Sequence, residues 1–393
     1  MRELAGKMNV PENLALVGPV YPYRGGIAHF TTQLGVELCA AGHPLRVISF
    51  ARQYPSWLYP GKTDKDPSRE HPSLEAEFLL DPLYPWTWLR AANAIAAFRP
   101  ALVLAQWWTT FWGPALFVLA ALLRARHIPL VFIIHNVMPH EARFYDRWIA
   151  RAVLAQASAC ITLSPKEEKR LRVLLPGLPV YPGRLPLHHL SVLRLSKNEA
   201  RRQLGLAEEG PLLLFFGIVR PYKGLGLLLE ALGRLAQTGL RPRLLVAGEF
   251  WEDESAYRRQ AAELGLSEQV SITNRFIPNE ETAVYFSAAD LFVAPYLEGT
   301  QSGAITVAMD FGLPVLASDR IITDALPGEY PLETFPAGDA AALAERLAEA
   351  LRKPFSRAPA VPPGDGWQEL LGMIETAGRE IGGTKQNGGR KIE

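Results

Sequence analysis

Cysteine is nearly missing from this chain of 393 residues: Cys39 and Cys160 are the only two. They are too few for a disulfide framework and are not spaced as a metal site, so a reducing, cytosolic setting is expected. An excess of charge is missing too. Lys+Arg number 41 against Asp+Glu 40, a formal net charge of +1, so nothing in the balance announces a nucleic-acid partner. Long apolar runs are absent as well: Phe111 to Leu123 covers about 13 residues before Arg124 and Arg126 interrupt it, against roughly 20 needed to cross a bilayer. The stretch Met1 to Asn13 lacks the charged-then-apolar layout of a signal peptide. No Gly-x-Gly-x-x-Gly spacing occurs in the first loop, which removes the signal for a nicotinamide or flavin cofactor.

What is present suffices for two ordinary domains, since 48% of the residues are apolar. Leu14 to Val17 reads as a strand and Gly18 to Gly26 as a loop. A helix follows from Ile27, with Phe30, Leu34 and Leu38 on one face, and then a strand at Leu45 to Phe50. That is a βαβ unit, the element of a parallel, doubly wound sheet. Ala51 to His71 shows no sustained period and reads as a long functional or irregular loop. A helix over Trp86 to Phe98, a strand at Ala101 to Ala105 and a helix over Gly113 to Arg126 come next. Leu130 to Ile134 is a continuous apolar run, as in a strand buried on both faces. It ends in His135-Asn-Val-Met-Pro-His140-Glu141, a polar cluster at the carboxyl end of a central strand, where open α/β sheets bind ligands. After a further strand at Ala159 to Leu163, Ser164-Pro-Lys-Glu167 reads as an N-cap, a first-turn proline and a capping-box acid.

Prolines crowd Leu175 to Leu195, where the domain boundary is expected. The program then restarts with a strand (Leu212 to Phe216), a loop (Gly217 to Gly224), a helix (Leu225 to Ala236) and a strand (Arg243 to Ala247). Pro22-Tyr-Arg-Gly25 after the first strand is echoed by Pro221-Tyr-Lys-Gly224 after its counterpart. Strands at Val270 to Thr273 and Leu291 to Ala294 flank a helix at about 280–288. Later helices are expected at 339–351 and 367–381, and Gly382 to Glu393 as a disordered tail.

Two stretches carry chemistry. Pro295 to Pro314 reads as strand end, polar loop, short helix and strand. Ser302 caps that helix, Gly312 ends it and Pro314 prevents its continuation. The loop tip aims backbone N–H groups and the side chains of Thr300, Gln301 and Ser302 at one spot, which attracts an anion. A cap that binds nothing is the alternative reading of these residues taken alone. The second stretch, Gly217-Ile-Val-Arg220-Pro-Tyr-Lys223-Gly224, sets a guanidinium and an ammonium on one loop. Such a pair can stabilise negative charge that grows in a transition state.

Pro-Tyr-x-Glu followed by Thr-Gln-Ser-Gly and Ala-Met-x-x-Gly-x-Pro-Val resembles the donor-sugar motif of retaining glycosyltransferases of family 4. Arg220 and Lys223-Gly224 match that family's Arg or Ser, then Lys-Gly. The resemblance runs from Gly25-Gly26 to Pro314. It implies a GT-B architecture: two Rossmann-like doubly wound domains with an interdomain cleft. The acceptor domain is expected over 1–187 and the nucleotide-sugar donor domain over 188–365, with a final helix, 366–381, packing back on the first. The implied reaction moves a sugar from a nucleotide diphosphate sugar to an acceptor hydroxyl with retention at the anomeric carbon. No cofactor and no metal are expected, because basic side chains do a metal's task.

The resemblance places Arg220 and Lys223 on the diphosphate and His135 near the reacting sugar. Gly25 and Gly26 become the first-loop glycines that let a ligand approach the backbone. Gly217 belongs to the basic loop, Glu249 lies on the donor rim, and Arg275, Phe276 and Ile277 lie beside the base. Thr300, Gln301, Ser302 and Gly303 close over the donor, and Glu298 is the first acid of the family's Glu-x7-Glu. There the chain departs from the pattern: Thr306 stands eight positions on and Val307 precedes Ala308-Met309, so the second acid is missing. A nucleotide-sugar epimerase on the same fold and a non-catalytic nucleotide-sugar-binding or scaffold protein stand as alternatives. The acceptor is expected to be a glycan or lipid-linked. Five of the nine tryptophans fall between Trp86 and Trp112. If some are exposed beside Arg90, Arg99, Arg124 and Arg126, they would let the first domain touch the inner face of a membrane.

Overall fold

The computed structural model describes residues 12–55, 57–59, 61–139, 142–186, 194–299, 302–321, 330–353, 356–358 and 366–388. The chain divides into two compact units, one of Met1–Leu58, Pro72–Arg184 and Trp367–Glu393, the other of Tyr59–His71 and Leu185–Gly366.

The strands of the first unit are β1 (Leu14–Val17), β2 (Leu45–Phe50), β3 (Glu77–Leu80), β4 (Leu102–Trp107), β5 (Leu130–Ile134), β6 (Ala159–Thr162) and β7 (Val180–Pro182). They form one parallel sheet in the order β3-β2-β1-β4-β5-β6-β7. β1, β4 and β5 are buried along their whole length, which is why they read as unbroken apolar runs. Its helices are α1 (Gly26–Ala40), α2 (Pro85–Phe98), α3 (Gly113–Ala125), α4 (Asp146–Leu154), α5 (Pro165–Leu174) and, from the far end of the chain, α12 (Trp367–Gly388). Trp367, Leu370, Ile374 and Ala377 of α12 are buried, and Trp367 packs on Phe30 of α1 with ring centroids 5.4 Å apart.

The second unit repeats the order of the first. β8 (Leu212–Phe216), β9 (Arg243–Ala247), β10 (Val270–Thr273), β11 (Leu291–Ala294), β12 (Val315–Ser318) and β13 (Leu332–Phe335) form a parallel sheet ordered β10-β9-β8-β11-β12-β13. Its helices are α6 (Lys197–Gln203), α7 (Leu225–Gln237), α8 (Glu254–Glu263), α9 (Asn279–Ala288), α10 (Gly303–Asp310) and α11 (Ala340–Leu351). Arg201, 1% exposed, ties α6 to this sheet through Asp290 (2.6 Å), whose carboxylate also accepts from Leu212 N–H at 2.8 Å. Lys197 Nζ reaches the same carboxylate at 3.0 Å, so Asp290 has two cations, whereas removing Asp290 would leave the buried Arg201 charge without its anion. Among the described residues no helix is long and apolar enough to cross a membrane.

The structure departs from the sequence expectations in identifiable ways. Residues 59–71 belong with the second unit rather than the first, because their hydrogen bonds run to Glu249, Asn279 and Glu280. α12 runs to Gly388, past the tail expected from Gly382, since an established helix gains a bond with each added residue. Residues 389–393 lie outside the described residues. β3, β7 and β13 were not anticipated; they are short and partly exposed, so they lack a buried strand's apolar signature. α6 and α8 were missed for the same reason on the helical side: most of their residues are polar.

Candidate active site

In the second unit the strand order reverses between β8 and β11, and both candidate motifs leave the carboxyl ends of these neighbouring strands. In open α/β sheets that switch point is the ligand crevice. Two close approaches lock the motifs together. A Cβ on Gly224, at φ 71°, would stand 2.0 Å from the carbonyl oxygen of Pro295. The N–H of Leu297 donates to Tyr222 O at 2.7 Å. A third motif is drawn in by Gly248, whose Cβ would stand 2.0 Å from Gly217 O. The loop after β9 then bonds to the basic loop, Val219 N–H to Glu249 O at 2.9 Å and Trp251 N–H to Val219 O at 3.1 Å.

These loops hold two cations. The Arg220 guanidinium lies over the rings of Tyr222 (5.4 Å) and Trp251 (5.6 Å). The Lys223 ammonium lies 5.4 Å from the Tyr296 ring and 2.9 Å from where a Gly217 Cβ would be. Aromatic faces orient both cations without neutralising them. Burial, and after it the neighbouring Arg220, hold the Lys223 pKa below the ordinary lysine value. A phosphate beside it would replace the lost water as the partner of the charge.

Ser302 caps α10 as expected, accepting from Ile305 N–H at 3.4 Å, and its hydroxyl lies 3.1 Å from that of Tyr296. Gly303 opens the helix, and a Cβ there would meet nothing within 4 Å. Thr300 and Gln301 lie outside the described residues. Glu298 is exposed, with no partner among the described residues. Thr306, where the second acid is absent, is buried and turns its hydroxyl onto Gly303 O at 2.8 Å. Arg275 is paired with Glu281, which raises its pKa. Phe276 is half-buried and Ile277 buried beside it. Glu249 is 5% exposed, with both carboxylate oxygens engaged: Lys62 N–H at 3.1 Å and Trp251 Nε1 at 3.1 Å.

In the first unit the corresponding reversal falls between β1 and β4. Gly25, at φ 105°, caps α1, and a Cβ on Gly25 or Gly26 would meet nothing within 4 Å, so the start of α1 is open. His135 follows β5. It is 6% exposed, its Nε2 lies 2.7 Å from Gln106 Oε1, and its ring meets Phe30 at right angles, centroids 4.8 Å apart. Burial pushes its pKa down to about 3, so the ring is neutral at pH 7. Gln106 Nε2 is buried with no partner among the described residues. His140 and Glu141 lie outside the described residues.

Sequence reasoning missed two residues that shape these sites. Gln106 is the one polar residue within the apolar run of β4, and that interruption is the signal available for it. For Glu167 the sequence pattern predicts a capping-box acid. Ser164 does cap α5, accepting from Glu167 N–H at 3.3 Å. The fully buried Glu167 carboxylate instead takes Val137 N–H and, at 2.7 Å, Arg170, fixing the loop that follows His135. Trp107 and Trp112 are core residues, whereas Trp86 is 59% exposed.

Two parallel sheets of Rossmann order, each with loops gathered at its switch point, define the GT-B class, and solved structures of that class match. Sucrose-phosphate synthase from Thermosynechococcus elongatus superposes with a TM-score of 0.69 at 21% identity, covering 95% of this chain and 98% of that one. HepE from Anabaena, solved in complex with UDP, does so with a TM-score of 0.66 at 17% identity, covering 95% and 100%. Family models match both units: "Glycosyl transferase 4-like domain" over residues 25–179 and "Glycosyl transferases group 1" over residues 210–353. The chain belongs to the group 1, family 4-like glycosyltransferases. Among curated relatives, D-inositol 3-phosphate glycosyltransferase 1 of Catenulispora acidiphila is 31% identical over 223 residues, 51% of this chain and 52% of that protein. Phosphatidyl-myo-inositol mannosyltransferase of Mycobacterium leprae is 33% identical over 169 residues, 41% and 43%. The matches thus span about half the length of these relatives.

Proposed function

We propose that the protein transfers a sugar from a nucleoside diphosphate sugar to an acceptor hydroxyl, with retention at the anomeric carbon. The observation that carries this reading is the junction of Tyr222, Gly224, Pro295 and Leu297. It brings the Arg220–Lys223 loop and the start of α10 to one switch point. Arg220 and Lys223 meet the diphosphate, and the first-turn N–H groups of α10, with Ser302 and Gly303, meet its oxygens. Glu298, exposed on the loop after β11, contacts the donor sugar. The two cations take the charge-neutralising part that a metal plays elsewhere, so chelators should leave activity intact. HepE's complex with UDP supports a nucleoside diphosphate as the leaving group. A thermal-shift screen over UDP, GDP, ADP and their sugars tests the reading. A ligand at 100 times its dissociation constant adds about 2.7 kcal/mol of stability. No shift with any of them would overturn the donor site.

The acceptor belongs to the first unit in this reading, and a lipid-linked one at an anionic membrane is favoured by one surface. Phe144 and Trp148 are 88% and 73% exposed at the start of α4, among exposed Arg143, Arg147 and Arg151. An apolar cavity of about 250 Å³ lined by Pro55, Trp57, Leu58, Leu83, Trp88 and Trp112 lies in the same unit. Basic residues draw the surface to anionic headgroups, and the aromatic rings settle at the interface. Sedimentation with phosphatidylglycerol vesicles at low salt should carry the protein down, and Trp148→Ala should weaken it. Protein left wholly in the supernatant would reject the membrane.

A further inference from the structure

The described residues of 59–71 lie along the second unit as a strap beside the donor site. Asn279 N–H donates to Ser68 Oγ at 2.9 Å, Asn279 Nδ2 to Glu70 O at 3.3 Å, and Arg69 N–H to Glu280 Oε1 at 3.3 Å. Asp66 and Ser68 are buried, and Ser68 N–H donates to Asp66 Oδ1 at 2.8 Å. At its other end Lys62 N–H reaches Glu249, and the ring of Tyr59 stands edge-on to Trp251, centroids 5.4 Å apart. The strap is therefore anchored at α9 and again at the loop after β9.

Glu249 is where the strap meets the basic loop. One carboxylate oxygen takes the strap's Lys62 N–H, the other takes Trp251 Nε1–H, and its backbone carbonyl takes the N–H of Val219, next to Arg220. Trp251 in turn lies under the Arg220 guanidinium. A carboxylate this buried is costly unless its acceptor positions are filled. We propose that Glu249 and the 59–71 strap form a positioning device that fixes the Arg220 guanidinium for a nucleoside diphosphate. Glu249 acts through Trp251 and Val219 rather than by touching the donor. The inference rests on the donor reading above and adds to it a part of the chain that lies far from the donor motifs in sequence.

Calorimetric titration with UDP, GDP and ADP tests it. Glu249→Ala should weaken the nucleotide that binds wild type by about 10- to 100-fold, the scale of a misplaced catalytic group. Glu249→Gln, which must turn an amide N–H₂ toward one of two donors, should fall between. In an Arg220→Ala background, Glu249→Ala should change the dissociation constant less than twofold, because the group it positions is gone. Hydrogen exchange within 59–71 should rise in Glu249→Ala without any ligand. If Glu249→Ala does not fold, Trp251→Phe, which keeps an aromatic face and removes the indole N–H, takes its place in the same cycle. An unchanged dissociation constant, additive effects with Arg220→Ala, or unchanged exchange in the strap would each overturn the inference. Wild-type protein that binds none of the three nucleotides would overturn the donor reading itself, and the strap's part in it.

Discussion

The loops after β1 and β8 share a pattern of eight residues, Gly18-Pro-Val-Tyr-Pro-Tyr-Arg-Gly25 and Gly217-Ile-Val-Arg-Pro-Tyr-Lys-Gly224. Their frames coincide. Gly18 N–H donates to Ile48 O of β2 at 3.2 Å and Gly217 N–H to Ala247 O of β9 at 2.9 Å. Val20 and Val219 are both buried, and Gly25 and Gly224 both cap a helix at positive φ. Their contents differ. A Cβ on Gly18 would stand 2.6 Å from Gln106 Cγ, so this glycine makes room for the partner of His135; Gly217 makes room for the ammonium of Lys223. Tyr23 is buried and donates to Phe50 O at 2.7 Å, whereas Tyr222 is half-buried under Arg220. One backbone device thus serves a neutral hydrogen-bonding pair in one unit and a pair of cations in the other. The side chains around the frame set the polarity of each site.

The largest expected effect separates the two basic residues of this pattern. Lys223→Ala should lower turnover about 100- to 1000-fold at unchanged melting temperature. Arg24→Ala, at the equivalent and buried place, should lower the melting temperature more than turnover; equal losses of turnover would erase the distinction drawn here. Next comes the backbone. Gly224→Ala must push past Pro295 O and should cost about 2–4 kcal/mol in urea unfolding. Gly26→Ala, with open space around it, should stay within about 1 kcal/mol of wild type.

The neutrality of the first site has a pH signature of intermediate size. The unfolded chain protonates His135 near pH 6.5, while the folded site resists until about 3. Stability from this residue is therefore complete above pH 6.5 and falls as the pH drops toward 3. Between pH 7 and 5 the loss should be about 2 kcal/mol, and His135→Gln should remove that part of the slope. Parallel unfolding curves for the two proteins would show that burial does not hold the ring neutral. The smallest effect is expected at Glu298: Glu298→Ala should change stability by less than about 0.5 kcal/mol. Its influence should appear only in turnover.

The sheets were legible because strands buried on both faces, such as Leu130–Ile134 and Leu291–Ala294, leave unbroken apolar runs. The basic loop and the cap at Ser302 were legible because glycine, proline and capping residues act locally. Of the repeated pattern only four residues stand out in the sequence, since the match of Gly18 with Gly217 gains meaning through the bonds both make to the next strand. Gln106, Glu167 and Trp251 work through partners 29, 30 and 31 residues away, at His135, Val137 and Arg220. No local pattern records such pairings. The strap was invisible for the same reason: 187 residues separate Lys62 from Glu249.

α12 sets an order on the making of the protein. Trp367 lies against Phe30, and Phe30 against His135. The second unit is translated whole before Trp367 is added, so the first unit acquires this layer only after all its strands have been made. A chain stopped before that helix would hold every residue proposed to contact the donor and still lack the wall behind His135.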